Sequence, residues 1–306
     1  MRIFKNILVI VNPHKDVPSA LRLATELAAL QGARLTLLDI IGDKSPEPCH
    51  DARPLETAMC DSSLERKARI ECLAEAAGDA GMADIKVLTG IPSIEIIKQV
   101  LRGNQDLLIK PAEMPVNRFT LPGSTDMHLL RKCPAPVWLV RPTHRKKVRR
   151  IMAAVDPDLK DLNTKLNPLI LELATSLAAR EQAELHAVSV WSLNREVELH
   201  TRARLIKPGL LIDDLQKTYK RWLKLLVDPY RQRGDEFHVH LVKGKVSDAI
   251  PAEARNRHID VIVMGTVGRI GIPGFFIGNT AERILARVNC SVLAVKPEGF
   301  VSPVHV

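Results

Sequence analysis

Short continuous apolar runs alternate with amphipathic stretches along the second half of the chain. They predict strands at 150–156, 184–190, 237–242, 260–264 and 291–296, and helices near 164–181, 211–233, 246–257 and 279–288. Because the runs are apolar at consecutive positions, the strands are expected to be buried on both faces, as in a parallel sheet covered by helices. Right-handed crossovers then give a doubly wound α/β fold, which binds ligands where the strand order reverses.

The first half repeats the landmarks of the second half in the same order. The matched runs are Ile7–Pro13 with Ile151–Pro157, Leu23–Ala29 with Leu173–Ala179, Asp106–Lys110 with Asp260–Met264, and Gly123–Thr125 with Gly278–Thr280. We therefore predict two tandem domains at 1–142 and 149–306, joined by a basic linker at 143–148. Each domain is expected to hold a five-stranded parallel sheet with helices on both faces. Pairing through sheet edges would make the chain an intramolecular pseudo-dimer, and the sequence leaves a homodimer open.

The formal charge of +9 favours an anionic partner only weakly, because part of it lies in the run 141–150 around the linker. Nucleic-acid binding would predict aromatic residues interleaved with the basic ones, or a recognition helix, and neither is visible. A solvated linker is the favoured interpretation.

The amino terminus and the cysteines indicate a cytoplasmic protein. The apolar stretch within residues 1–11 is short and lacks a small-residue cleavage site, so it predicts a first strand rather than a signal peptide. No run approaches the roughly 18 to 20 apolar residues of a membrane span. The five cysteines form no CxxC pair, which favours reduced thiols. No membrane partner is expected.

Spaced glycines near the carboxyl terminus are the strongest chemical signal. Gly265 and Gly268 are separated by two residues, and nine residues lie between Gly268 and Gly278. These glycines follow an apolar strand and precede a predicted helix that begins near Asn279. Backbone N–H groups of such a loop can face an anion, so the segment is a candidate phosphate cradle.

These glycines, with Asp156 at the end of a strand and the terminal strand Cys290–Val295, resemble the nucleotide signature of the universal stress protein family. The whole chain resembles a tandem member of that family, similar to its bacterial E-type members, and the resemblance implies the adenine-nucleotide α-hydrolase-like fold. It also implies noncovalent binding of ATP or a related nucleotide, with or without magnesium.

The resemblance implies that Asp156 contacts adenine, that backbone near Ala187 and Val188 lines the same pocket, and that the glycines bracket ribose and phosphates. The candidate nucleotide-binding residues are Asp156, Pro157, Ala187, Val188, Met264, Gly265, Gly268, Arg269, Gly278, Asn279 and Thr280. Two alternatives stay open at this point. Asp156 and Pro157 could form only a turn that closes a strand, and Asn279 could be only a helix N-cap.

The first half departs from this signature. Asn12 replaces the aspartate, and Pro111 and Met114 stand where two glycines are expected. Proline removes a donor and methionine prevents a close backbone approach, so we predict that the first half does not bind ATP in the family manner. Lys110 and Glu113 mark either a divergent pocket or, in the favoured interpretation, a scaffold.

Signals for catalysis or metal binding are weak. The chain has no G-x-x-x-x-G-K-[ST] loop, so fast ATP hydrolysis is not expected and any turnover would be slow and incidental. His238 and His240 share a strand face without an evident third ligand, which favours a wet sheet edge. The segment holding Cys49, His50, Cys60 and Asp61 matches no standard zinc spacing.

Two functional hypotheses follow. In the first, the protein is a stress-response regulator whose second domain binds ATP, with an unidentified protein partner. In the second, it is an interaction scaffold that does not bind ATP, or a carrier of another small ligand. The stretch from Trp191 to Arg233, with Tyr219 and Trp222, could cover a pocket, form an interface or pack as an ordinary core helix.

Overall fold

The computed structural model describes residues 4–12, 18–42, 63–76, 78, 83–113, 124–141, 147–157, 165–192, 208–231, 237–266 and 278–305. The chain divides into two compact units. The amino-terminal unit contains residues 2–111, 132–142 and 302–306, and the carboxyl-terminal unit contains 112–131 and 143–301. The units thus differ from the predicted domain boundaries, because one segment of the first half is grouped with the second.

The amino-terminal unit is built on a parallel sheet. Its elements are β1 (Asn6–Ile10), α1 (Pro18–Gln31), β2 (Arg34–Ile41), α2 (Ser63–Ala76), β3 (Asp84–Thr89), α3 (Pro92–Gly103), β4 (Leu107–Pro111) and β5 (Val137–Val140). The strand order is β3-β2-β1-β4-β5, and all four strand pairs are parallel. The order reverses between β1 and β4, as a doubly wound sheet requires.

The carboxyl-terminal unit repeats this arrangement. It contains most of α4 (Ser124–Lys132), then β6 (Arg150–Ala154), α5 (Leu166–Glu181), β7 (Glu184–Trp191), α6 (Pro208–Arg231), β8 (Phe237–Lys243), α7 (Val246–Asn256), β9 (Val261–Gly265), α8 (Asn279–Leu285) and β10 (Ser291–Val295). Its strand order is β10-β9-β6-β7-β8, again all parallel. Arg131 on α4 donates from Nε to Glu282 on α8 at 3.0 Å, a contact within this unit.

Consecutive strand residues are buried, which confirms the expected two-sided covering of the sheets. Ile7, Leu8 and Val9 have no exposed surface, and all five residues of β10 are buried. Side chains at successive strand positions point to opposite faces, so a helix layer must lie on each side. The predicted doubly wound α/β class is therefore confirmed.

Helix α5 packs against β6 and β9, the two strands whose ends form the predicted site. Its buried stripe includes Ile170, Ala174 and Ala178, spaced by one helical turn. Lys165 at its N-cap adopts φ 50°, and this left-handed residue sets the direction from which the helix enters.

Helix α6 lies where a long helix was predicted, and it packs through one apolar face. Tyr219, Leu223 and Val227 recur every four residues and are at most 5% exposed. The Tyr219 ring lies 6.3 Å from that of Trp191 on β7. The core-packing interpretation of these aromatic residues therefore holds for the part of α6 whose side chains are described. Among the helices of the described segments, none has both the length and the apolar character needed to cross a membrane.

Candidate functional site

The predicted site begins where β6 and β9 lie side by side. Ala154 of β6 pairs with Met264 of β9, so Asp156 and Gly265 leave adjacent strands at the same sheet edge. In the sheet, β7 and β8 lie beyond β6 on one side of this pair, whereas β10 lies beyond β9 on the other. The prediction that these strands are neighbours at the reversal of strand order is confirmed.

Two backbone hydrogen bonds of Thr266 join the end of β9 to β10 and to the far end of the glycine loop. Thr266 N donates to Val295 O at 3.1 Å, and Gly278 N donates to Thr266 O at 3.0 Å. Gly278 thus lies against the end of the strand, although eleven residues separate it from Thr266 in sequence. Gly268 and Arg269 lie outside the described residues.

Helix α8 starts at Asn279, and its N-cap residue is Gly278. The interpretation of Asn279 as the N-cap is therefore wrong, because Asn279 is the first residue of the helix itself. Asn279 and Thr280 are both exposed. Their polar side chains are accessible at the place where the loop joins the helix.

The remaining predicted residues are buried in or near the sheet. Ala187 and Val188 have no exposed surface and lie within β7, paired with both β6 and β8. Val188 O accepts from Val155 N at 3.0 Å, so this part of β7 lies beside the residue that precedes Asp156. Met264 is 3% exposed. Pro157 is also buried.

Three residues near this edge were missed by sequence reasoning. Thr266 is completely buried, and its hydroxyl has no hydrogen-bond partner among the described residues. Asn167 bonds to the backbone of Asp156, and Leu166 packs against Gly265, where an added Cβ would lie 2.7 Å from Leu166 Cδ2. The first glycine of the signature therefore also has a packing role. The sequence could have indicated Thr266, because it directly follows that glycine. The contacts of Leu166 and Asn167 are tertiary, so no sequence pattern indicates them.

In the corresponding segments of the first half, polar groups form hydrogen bonds with other groups of the protein. Lys110 is buried, and its Nζ donates to Pro111 O at 3.1 Å. In the carboxyl-terminal unit, Glu113 N donates to Asp126 Oδ2 at 2.7 Å, and Asp126 is 1% exposed. Asn12 follows β1 at an intermediate exposure, and Met114 and Gly123 lie outside the described residues.

His238 and His240 have a third histidine beside them, which corrects the expectation of an isolated pair. His186 of β7 pairs in register with His238, and its Nδ1 lies 3.1 Å from His240 Nε2. The rings of His186 and His238 are stacked with centroids 4.9 Å apart. Period-2 alternation places residues on a face but does not give the register between strands, so the sequence missed this neighbour.

His186, His238 and His240 form a histidine cluster, and burial lowers the pKa of two of its members, His186 and His240. Desolvation is the first cause that lowers the pKa of His186, and it also lowers the pKa of His240 to about 4. In the described part of the chain, no group of three or more His, Cys, Asp or Glu residues is arranged to hold a metal ion. The segment with Cys49, His50, Cys60 and Asp61 lies outside that part.

A sequence model described as the universal stress protein family matches the chain twice, at residues 3–141 and 147–296. The chain belongs to the universal stress protein family. Among curated proteins it is similar to Universal stress protein E of Escherichia coli and of Salmonella typhi. Each is 32% identical over 318 aligned residues, covering 100% of this chain and 98% of the relative.

Solved structures support the fold. A protein of unknown function from Pseudomonas aeruginosa matches with a TM-score of 0.71 and 23% identity, covering 98% of this chain and 95% of its own. A universal stress protein from Archaeoglobus fulgidus matches with a TM-score of 0.60 and 19% identity, covering 95% and 98%. The tandem arrangement of two domains of this family is thus shared along essentially the whole chain.

Proposed function

We propose that the protein is a stress-response regulator that binds ATP, or a related adenine nucleotide, in its second domain. The observation that carries this proposal is the position of Asp156 and Gly265 at the ends of adjacent strands, where the strand order reverses. Open α/β sheets bind ligands at this position because the crossovers leave in opposite directions and open a crevice.

The residues at this edge fit a nucleotide. Gly278 is held against Thr266 by a backbone bond, and the buried Thr266 hydroxyl has no hydrogen-bond partner among the described residues. A buried hydroxyl without a partner costs free energy, which a ligand oxygen could recover. Asn279 and Thr280 expose further polar groups beside it. In this proposal Asp156 faces the base, and Gly278, Asn279 and Thr280 face the phosphates.

The role of bound ATP in this proposal is regulatory rather than catalytic. Fast phosphoryl transfer needs a lysine or arginine that stabilises the terminal phosphates and a group that positions the nucleophile. The sequence has no Walker-type lysine loop to supply the first of these. Bound nucleotide would therefore act by shifting conformation or partner choice.

Calorimetric titration with ATP, with and without magnesium, tests the proposal. We expect saturable binding at one site per chain. Gly278→Leu should weaken binding about 10- to 100-fold, because the added side chain occupies space that the phosphates approach. Gly278 is preferable to Gly265 for this test, because substitution of Gly265 also disturbs Leu166.

Gly42→Leu is the matched control, because a Cβ at Gly42 meets nothing within 4 Å. It should bind ATP as the parent does. Equal binding by the parent and Gly278→Leu would overturn the assignment of the loop. Absence of ATP binding by the parent would favour the scaffold or carrier hypothesis.

A cavity in the amino-terminal unit favours the carrier as a second candidate function. It has a volume of about 670 Å³ and lies at the amino ends of β1, β2 and β3, with Asn6, Arg34 and Lys86 in its wall. This is the opposite strand end from a nucleotide site of the family type. Denaturing the purified protein and identifying any released small molecule by mass spectrometry tests this candidate, and Ala28→Phe should reduce the amount released by filling the cavity.

A further inference from the structure

The side chain of Asn167 binds both polar groups of one backbone residue. Asp156 N donates to Asn167 Oδ1 at 3.0 Å, and Asn167 Nδ2 donates to Asp156 O at 2.6 Å. Asn167 lies in the first turn of α5 and is 7% exposed. Because β6 ends at Ala154, these bonds take the place of sheet hydrogen bonds at Asp156.

The preceding residue contacts the other strand end of the candidate site. Leu166 fills the space next to Gly265, so two consecutive residues of α5 contact the residues that follow β6 and end β9. Both contacts come from the first turn of α5, which directly follows the left-handed Lys165. The start of α5 therefore sets the position of Asp156 relative to Gly265.

We propose that Asn167 is a positioning residue for nucleotide recognition, which holds Asp156 where its carboxylate can select the adenine base. This inference rests on the function proposed above. Asn167 does not itself contact the nucleotide in this proposal. It acts through the backbone of Asp156, and its effect should fall on the base rather than on the phosphates.

A carboxamide suits this role because it presents one acceptor and two donor hydrogens from the same group. Aspartate in the same place would lose the donor and put a carboxylate oxygen against Asp156 O. Leucine would keep the approximate size and lose both bonds. In the first half, Val17-Pro18 aligns with Asn167-Pro168, because both lead into the shared Leu-Ala-Thr-x-Leu-Ala-Ala run. The residue corresponding to Asn167 is thus a valine that cannot make these bonds, in the half where Asn12 also replaces the aspartate.

Calorimetry on the full chain with ATP, GTP and inorganic tripolyphosphate tests the inference. Asn167→Leu should weaken ATP binding about tenfold, because Asp156 is then no longer held where its carboxylate reaches the base. It should also reduce the preference for ATP over GTP, while tripolyphosphate binding stays within about twofold of the parent. Asn256→Ala, at an exposed asparagine that ends α7, is the control and should change none of these values.

A double-mutant cycle separates positioning from general damage to the fold. In an Asp156→Ala background, Asn167→Leu should have no further effect on ATP binding, because the group that it positions is gone. Equal weakening of ATP and tripolyphosphate, or additive effects in the cycle, would overturn the positioning role. If the parent binds neither ATP nor GTP, the proposed function fails and this inference fails with it. If the parent binds ATP and Asn167→Leu binds it equally well, only this inference fails.

Discussion

The segments at the ends of β4 and β9 occupy matching places in the repeat but satisfy their polar groups differently. After β9, Gly265 leads to Thr266, whose buried hydroxyl has no partner among the described residues. At the end of β4, Pro111 has no N–H to donate, and the N–H of Glu113 donates to the buried carboxylate of Asp126. The first-half segment thus contains its own anion, whereas the second-half segment has a buried hydroxyl that no described residue engages.

Helix α8 has no acidic side chain at the position that matches Asp126. The repeat aligns Asp126 with Ala281, the third residue of α8, which is buried. An internal carboxylate would compete with a phosphate for backbone donors, whereas an alanine side chain has no oxygen with which to compete. The comparison teaches that the first half carries an internal carboxylate at a place in the repeat where the second half carries none.

The largest effect that we expect concerns the hydrogen bond from Glu113 N to the Asp126 carboxylate. Asp126→Ala should lower the free energy of unfolding by about 2 kcal/mol, because it leaves the Glu113 N–H without its charged acceptor. Urea denaturation checks this value. Asp126→Asn, which keeps an acceptor oxygen, should lose less.

The number of ATP molecules bound per chain tests the same comparison. Asp126→Ala should still bind one ATP per chain, because Pro111 and Met114 remain in the first half. A second ATP site in this variant would mean that the carboxylate alone blocks the first half. Unchanged stability would contradict the role of Asp126 as a buried acceptor.

The next effect concerns the buried hydroxyl of Thr266 in the second half. Thr266→Val should weaken ATP binding about tenfold by removing a bond of roughly 1 to 1.5 kcal/mol to the ligand. The same change should leave the ligand-free protein equally stable or more stable, because it removes a buried polar group that has no described partner. Thermal unfolding with and without ATP measures both quantities.

Thr175→Val is a matched control for this change. Thr175 lies in α5, is 2% exposed and also has a buried hydroxyl without a described partner. Its replacement should change stability in the same direction and leave ATP binding unaltered. Loss of ATP affinity in both variants would indicate a general packing effect rather than a contact from Thr266.

The smallest effect concerns a second contrast between the halves, at the paired strands β7 and β8. The positions of His186, His238 and His240 correspond by register to Thr36, Asp84 and Lys86 on β2 and β3. Lys86 and Asp84 form an ion pair at 3.3 Å. Acid should therefore loosen the histidine cluster before it affects the corresponding part of the first half.

The direction follows from the pKa of His240, which burial lowers from 6.5 to about 4. The folded state then binds fewer protons than the unfolded state, so stability is retained above about pH 6.5 and falls as the pH drops towards 4. The charged groups facing the cluster are Glu184 with its partner Arg150, and Glu253 with its partner Arg257. Because His240 is only partly buried, we expect a loss of about 1 kcal/mol after screening.

Urea denaturation at pH 7.5, 6 and 5 checks this prediction, with hydrogen exchange to locate the change in β7 and β8. His240→Gln should flatten the pH dependence. His305→Gln, at an exposed histidine near the carboxyl terminus, should leave it intact. If the free energy of unfolding of His240→Gln still depends on pH to the same extent, groups other than His240 take up the protons.

Sequence patterns were sufficient for most of the fold. The runs of consecutive apolar residues required strands covered on both faces, and the repeat required the second sheet to follow the first. The predicted helix near 211–233 is observed at 208–231, and the predicted strand 237–242 at 237–243. Element bounds were close because hydrophobic periodicity ends where burial ends.

For the candidate site, the sequence by itself determined which residues end strands and open the last helix, because glycine spacing and apolar runs are local properties of the chain. It also determined that Pro111 removes a donor from the first half. Only the tertiary structure decided that Asn167 hydrogen-bonds to the backbone of Asp156, that Leu166 fills the space beside Gly265, and that His186 lies within hydrogen-bond distance of His240. Those contacts join elements through strand register and helix docking, which depend on how the whole core packs and leave no pattern in the neighbouring sequence.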